Sequence, residues 1–186
     1  FDAYNIHQRP KAFFSPSALN AYLDCRLKFY YRYVAGLKAP DEVSAEIDST
    51  LFGTIFHRSA ELVYNELTAN GREIRKEDLD QVLRNDIKLQ NYVDIAFKEE
   101  FFHVALTEKP EYNGTQLIHS KVIASYLRQL LRNDLQYAPF RMEGMEQDVR
   151  EMMEIDTPQG KLALQIGGTI DRLDSKGDTL RIVDYK

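Results

Sequence analysis

The residues best suited to chemistry stand near the end of the 186-residue chain, where Asp171 and Asp174 sit in one β-prone run and Asp184 and Lys186 in the next. Ser175-Lys176-Gly177-Asp178 between the runs is turn chemistry, so the simplest local structure is a hairpin. A side-chain period of two puts Leu180, Ile182, Asp184 and Lys186 on one face of the second strand, with Val183 and Tyr185 on the other. Strand interiors are depleted in Asp and Lys, so their presence on the apolar face calls for a reason. Carboxylates held side by side on adjacent strands, here Asp171 and Asp184, are the hard oxygen donors that a divalent cation prefers. Lys186 would add a charge able to orient a water or to stabilise a phosphate. Such a set suits metal-assisted hydrolysis of a phosphodiester. A buried Asp–Lys ion pair, or a hairpin whose charges are merely solvated, fits the same residues equally well.

The elements that must position these groups follow from periodicity. Phe1, Tyr4, Phe13 and Phe14 are aromatic anchors of an irregular lead-in. Ser15 as N-cap with Pro16 at the first helical position predicts a helix to about Tyr33, stopped by Gly36, with Leu19, Tyr22, Leu23, Leu27, Tyr30 and Val34 facing the core. Arg26, Lys28 and Arg32 alternate with Phe29, Tyr31 and Tyr33 on this helix. They form either a base-stacking, phosphate-contacting surface or a set of packed rings with solvated charges. After an acidic linker over Ala39–Asp48, a second helix spans about Thr50–Ala69 and carries His57, with Gly53 one turn earlier. A glycine inside a helix costs about 1 kcal/mol relative to Ala, and is tolerated where a backbone or ligand comes close. Further helices are predicted over Glu77–Asn85, Lys88–His103 and Gln116–Leu135, with a loop from Lys109-Pro110 to Asn113-Gly114. His103 and His119 are assigned structural roles. Beyond Pro139 the pattern turns to strand: Met142–Ile155, with room for a bulge, then Lys161–Leu173 and Thr179–Lys186. A single domain is expected, mainly helical over 1–140, with a three-stranded meander over 141–186. The fold class is α/β with an α+β-like order, helices packing on a mixed sheet.

The whole chain restricts the function classes. Its length suffices to bury roughly 70% of the unfolded surface. No run approaches a membrane span and no signal pattern opens the chain, so a cytoplasmic location is expected. The single Cys25 has no internal disulfide partner. The net charge of −5 argues against a globally basic nucleic-acid binder. Residues 1–40 nevertheless hold six basic groups (Arg9, Lys11, Arg26, Lys28, Arg32, Lys38) against Asp2 and Asp24, a balance of +4 that leaves −9 for the remainder. No Gly-rich phosphate loop, Ser/His/Asp set or paired-Cys zinc pattern is present.

Four segments in order carry a resemblance to a known family: Ser15-Pro16-Ser17-Ala18-Leu19 with Tyr22, Cys25 and Phe29-Tyr30-Tyr31; Phe52-Gly53-Thr54-Ile55-Phe56-His57; Gly168-Thr169-Ile170-Asp171-Arg172; and Val183-Asp184-Tyr185-Lys186. Together they resemble the PD-(D/E)XK nuclease superfamily, in particular the RecB-like branch that forms the nuclease domains of RecBCD- and AddAB-type enzymes. The resemblance implies a restriction-endonuclease-like core. It makes His57, Asp171 and Asp184 metal ligands, with the backbone carbonyl of Tyr185 completing the shell and Glu146 an additional candidate. Asp171, Asp184 and Lys186 become the catalytic set, Lys186 orienting the attacking water. Mg²⁺ or Mn²⁺ is the implied cofactor and DNA the implied substrate, with Arg26, Lys28, Arg32 and Arg172 as candidate DNA contacts. A helicase subunit, or a helicase domain of the same polypeptide, is an implied partner in repair or recombination. The family core continues past the lysine into a helix and a strand, so the chain is expected to be a C-terminally shortened piece that does not cleave DNA by itself. Some AddB-like relatives bind an iron–sulfur cluster through a Cys at the position of Cys25. Arg26 stands where those relatives show Pro, and a small core residue is the favoured reading of Cys25 over a cluster ligand. The alternative function is a non-catalytic domain that binds DNA or scaffolds a helicase–nuclease complex.

Overall fold

The computed structural model describes Tyr4 and residues 13–37, 46–108, 111–158 and 160–185. Lys186, the expected cation of the site, lies outside the described residues, as do Phe1, Arg9, Lys11, Lys38 and most of the acidic linker. The chain forms two compact units, Phe1–Glu42 with Glu146–Ile170 and Val43–Met145 with Asp171–Lys186.

In the first unit Ser15 caps the predicted helix, its Oγ accepting the Ala18 N–H at 3.1 Å with Pro16 in the first turn. The helix is interrupted, however. α1 spans Pro16–Asp24, Cys25 is extended (φ −156°, ψ 111°), α2 spans Arg26–Phe29, and a π-helical turn covers Tyr30–Val34 before Gly36 takes a positive φ of 70°. The expected core stripe is met only in part: Tyr22 and Val34 pack on the core, but within α1 itself the buried face is that of Ala18 and Ala21 and not that of Leu19 and Leu23. Leu19, Leu23, Leu27 and Tyr30 are exposed, while Ala18, Ala21 and Phe29 are buried. Phe29 is the hub of this core: the rings of Tyr4, Phe14, Tyr22 and Tyr33 all lie within 5.8 Å of it, centroid to centroid. Phe29 and Tyr33 are therefore packed rings, not a base-stacking surface. Cys25 is exposed, which corrects its reading as a small core residue.

Two strands contribute to both units; β1 (Glu73–Ile74) belongs to the second unit alone. β2 (Phe140–Thr157) and β3 (Gly160–Lys176) are joined by a turn too short for anything but an antiparallel connection. Within the first unit Phe14 forms a parallel bridge to Ile166, donating its N–H to the Gln165 carbonyl at 2.6 Å. Glu146 takes a left-handed backbone, φ 44°, inside β2, the kind of step that a bulge requires.

The second unit opens with α3 (Ser49–Leu67), where Asp48 accepts the Leu51 N–H at 2.7 Å. The short β1 (Glu73–Ile74), absent from the sequence reading, follows, then α4 (Lys76–Leu83), α5 (Asp86–Phe97) with a π turn over Lys98–Phe102, and α6 (Gly114–Tyr137). On α6 Gln116, Ser120, Ile123, Ala124, Leu127, Leu131 and Asp134 recur at helical spacing and are buried against Ile55, Val63, Leu79, Leu89 and Phe97 from the other helices. β4 (Thr179–Val183) closes a sheet of order β1-β2-β3-β4 and pairs antiparallel with β3, Arg172 opposite Val183 and Asp174 opposite Arg181. The Leu180/Ile182 face of β4, expected to be apolar and covered, is exposed among the described residues. No helix among the described residues is long and apolar enough to cross a membrane.

Candidate active site

Three elements of the second unit deliver the predicted groups. Asp171 is the residue of β3 just before Arg172, the last to pair with β4; continuing that register one position brings it opposite Asp184. Tyr185 follows, its backbone N–H donating to Asp171 Oδ2 at 2.7 Å and its carbonyl oxygen lying 3.2 Å from His57 Nε2. His57, two turns into α3, is 3.7 Å from Asp171 Oδ2 and packs edge-on against the Tyr185 ring at 5.3 Å. One imidazole nitrogen, one carboxylate oxygen and one backbone carbonyl thus converge on one point. In an octahedral shell with bonds of about 2.1 Å, neighbouring ligand atoms are about 3 Å apart, so a slight contraction of this set would seat a small divalent cation. Glu146, the additional candidate, is part of the first unit and is not counted in this group of second-unit donors. Asp184 is exposed and stands outside that group, bordering the pocket beside it.

That pocket, about 630 Å³, lies in the second unit between two helical stripes. Phe52, Gly53, Phe56 and His57 recur along one face of α3, and Tyr126, Gln129, Leu130 and Asn133 along one face of α6. Gly53 has nothing within 4 Å of where a Cβ would stand. No protein backbone therefore explains this glycine; its missing side chain leaves the wall of the pocket open.

The register of the hairpin is secured by charges of which the sequence reading assigned a role only to Arg172, as a DNA contact. Arg172 is fully buried, donating through Nη1 to Asp134 Oδ2 at 2.6 Å and through Nη2 to Asp134 Oδ1 at 3.0 Å, with Nε 3.2 Å from Asp174 Oδ2. Arg181 clasps Asp174 through Nε and Nη2, both at 2.8 Å, and reaches Asp134 at 3.1 Å. Tyr64 donates its hydroxyl to the same Asp134. Two arginines and two aspartates from α6, β3 and β4 thus pair their charges, with the Nε of Arg172 near Asp174 but not hydrogen-bonded to it. Burial opposes charge on Arg172, yet Tyr64 and Asp134 beside it hold its pKa above the usual guanidinium range. Burial likewise pushes the phenols of Tyr64 and Tyr185 up. Arg172 is therefore a structural cation and not a DNA contact, since none of its surface reaches solvent. The cross-strand pairing of Asp174 with Arg181 was the available signal, but Asp134 lies 38 positions before Arg172 and only the fold unites them.

The remaining candidates are on the first unit. Arg26, Lys28 and Arg32 are exposed; Lys28 pairs with Asp24 at 3.4 Å, and Arg26 and Arg32 lie over the rings of Tyr22 and Tyr33. His103 bonds the Glu99 carbonyl and His119 packs against Phe52.

A family model of the PD-(D/E)XK nuclease superfamily matches residues 13–186. The chain belongs to that superfamily. Nucleases of this kind are hydrolases, and the sheet with its flanking helices agrees with a restriction-endonuclease-like fold. No curated protein matches the chain.

Proposed function

We propose that the chain is a metal-dependent nuclease domain that hydrolyses DNA phosphodiester bonds. The observation that carries this reading is the convergence of His57 Nε2, Asp171 Oδ2 and the Tyr185 carbonyl just past the end of β4. The donor set is mainly hard oxygen, which suits Mg²⁺ or Mn²⁺. When bound, such an ion supplies Lewis acidity toward a phosphoryl oxygen and acidifies a water. His57 and Asp171 hold it from opposite elements, and Asp184 adds a second carboxylate from the pocket side. The Tyr185 N–H fixes the rotamer of Asp171. Lys186, two residues past Asp184, orients the attacking water. A role in repair or recombination beside a helicase, with RecB-like exonucleolytic action, is the finer form of the proposal.

The test is Mn²⁺ binding followed by electron paramagnetic resonance, together with degradation of linear DNA. Asp171→Ala should lose the Mn²⁺ signal that the wild type shows; in a longer polypeptide that cuts linear DNA, Asp184→Ala and Lys186→Ala should lose cleavage. Undiminished cleavage in the last two variants would overturn the assignment. Metal binding without cleavage by that longer polypeptide would favour the second reading, a DNA-binding or scaffolding domain. The exposed Leu19, Leu23 and Leu27 on the first helices favour that reading by offering an apolar contact surface.

A further inference from the structure

The pocket between α3 and α6 has a composition that the metal chemistry does not call for. Phosphodiester hydrolysis needs oxygen donors and a cation; it has no use for a second helix face bearing an exposed ring and two amides. Tyr126 is 53% exposed, its ring edge-on to Phe52 at 6.0 Å and 77°. Gln129 and Asn133, one and two turns further along the same face of α6, are exposed at the wall of the pocket. On the opposite wall Gly53 leaves open the space that any side chain would fill. The cavity is continuous with His57, Asp184 and Tyr185, which border it. An aromatic face binds a flat π system, and an amide is at once donor and acceptor, the combination that hydrogen-bonds a base edge.

Building on the nuclease reading, we propose that this pocket receives one unpaired nucleobase of the strand being cut, stacked on Tyr126 with its edge bonded by Gln129 and Asn133. The site accordingly senses the base next to the scissile phosphate. The strand must be single, or locally opened, at that position, because a paired base presents neither a free face nor its full edge.

Single-stranded oligonucleotides carrying one abasic position, moved along the strand, test this by fluorescence anisotropy in Ca²⁺, with Mn²⁺ binding followed separately. Wild-type protein should lose on the order of 10-fold in affinity at one position and little elsewhere, as the removal of one stacked base predicts. Tyr126→Ala should lose the same factor on the intact strand and nothing further on the abasic one, while Tyr126→Phe keeps the affinity. Asn133→Ala should flatten any preference among the four bases at that position. Tyr126→Ala should bind Mn²⁺ as the wild type does, showing that the fold and the metal group are intact. Equal loss at every abasic position, or equal loss of intact and abasic strands in Tyr126→Ala, would overturn the pocket while leaving the nuclease reading standing. Absence of any oligonucleotide binding by a protein that binds Mn²⁺ would overturn the pocket as well, and DNA as the substrate with it. Loss of Mn²⁺ binding in the wild type would strike the metal reading alone.

Discussion

Asp171 serves two partners with one oxygen: Oδ2 accepts the Tyr185 N–H at 2.7 Å and faces His57 Nε2 at 3.7 Å. The hydrogen bond stabilises the hairpin end, and the negative charge is what a cation would use. Asp171→Asn separates the two roles, because the amide oxygen can still accept the N–H while the charge is gone. The expected outcome is a thermal midpoint near that of the wild type with Mn²⁺ affinity reduced by about 100-fold or more, the loss of a direct ligand exceeding that of a supporting one. A large fall in midpoint with unchanged Mn²⁺ titration would mean that Asp171 is purely structural. This residue and His57 were legible in the sequence through the motifs around them. The Tyr185 carbonyl came with the same motif, but the turn of the Tyr185 amide toward Asp171 did not, because backbone direction past the last strand pair depends on register.

Two glycines show what the elements demand. Gly167 sits in β3 where a Cβ would stand 2.6 Å from the Val149 carbonyl oxygen, a backbone atom that cannot step aside. Gly53 sits in α3 with nothing within 4 Å of that point. Gly167→Ala should therefore lower the urea midpoint by the equivalent of about 1–3 kcal/mol, the usual cost of overpacking. Gly53→Ala should raise stability by up to about 1 kcal/mol through helix propensity, while weakening oligonucleotide binding. If both substitutions destabilise alike, the open wall of the pocket is wrong. The second helix, its limits and its glycine were readable from periodicity and capping. The first helix was not read in phase, because in α1 the small Ala18 and Ala21 face the core in place of the more apolar Leu19 and Leu23, and the extended Cys25 and the π turn over Tyr30–Val34 then shift the repeat with no proline or glycine to announce it. The exposed face of β4 escaped for a related reason: alternation tells which residues share a face, and only neighbouring elements decide which face is covered.

At the scale of the molecule, the second unit combines an apolar helical core with a buried charge network on Asp134, a residue that composition marks as a surface aspartate. Removing it would strand Arg172 without its bidentate partner, and the cost of an unpaired buried charge, about 3–5 kcal/mol, is a large share of a domain's stability. Asp134→Ala should thus unfold the unit at moderate denaturant, with tryptophan-free tyrosine fluorescence or circular dichroism as the readout. The same network sets a dependence on pH. Burial holds the Tyr64 phenol well above its ordinary value, so the folded state favours the neutral form. Stability from this group is complete below the unfolded phenol pKa of about 10 and is lost as pH rises from there toward the folded value. Tyr185, Tyr92 and Tyr112 are shifted the same way by burial and add to the trend. The urea midpoint should therefore be level from about pH 7 to 9 and fall beyond about 10. Tyr64→Phe should start lower by about 1–3 kcal/mol, having lost the hydrogen bond to buried Asp134, and then fall less steeply with pH than the wild type. Parallel curves for the two proteins would show that Tyr64 does not carry the alkaline limb, and that the loss lies in the other buried phenols.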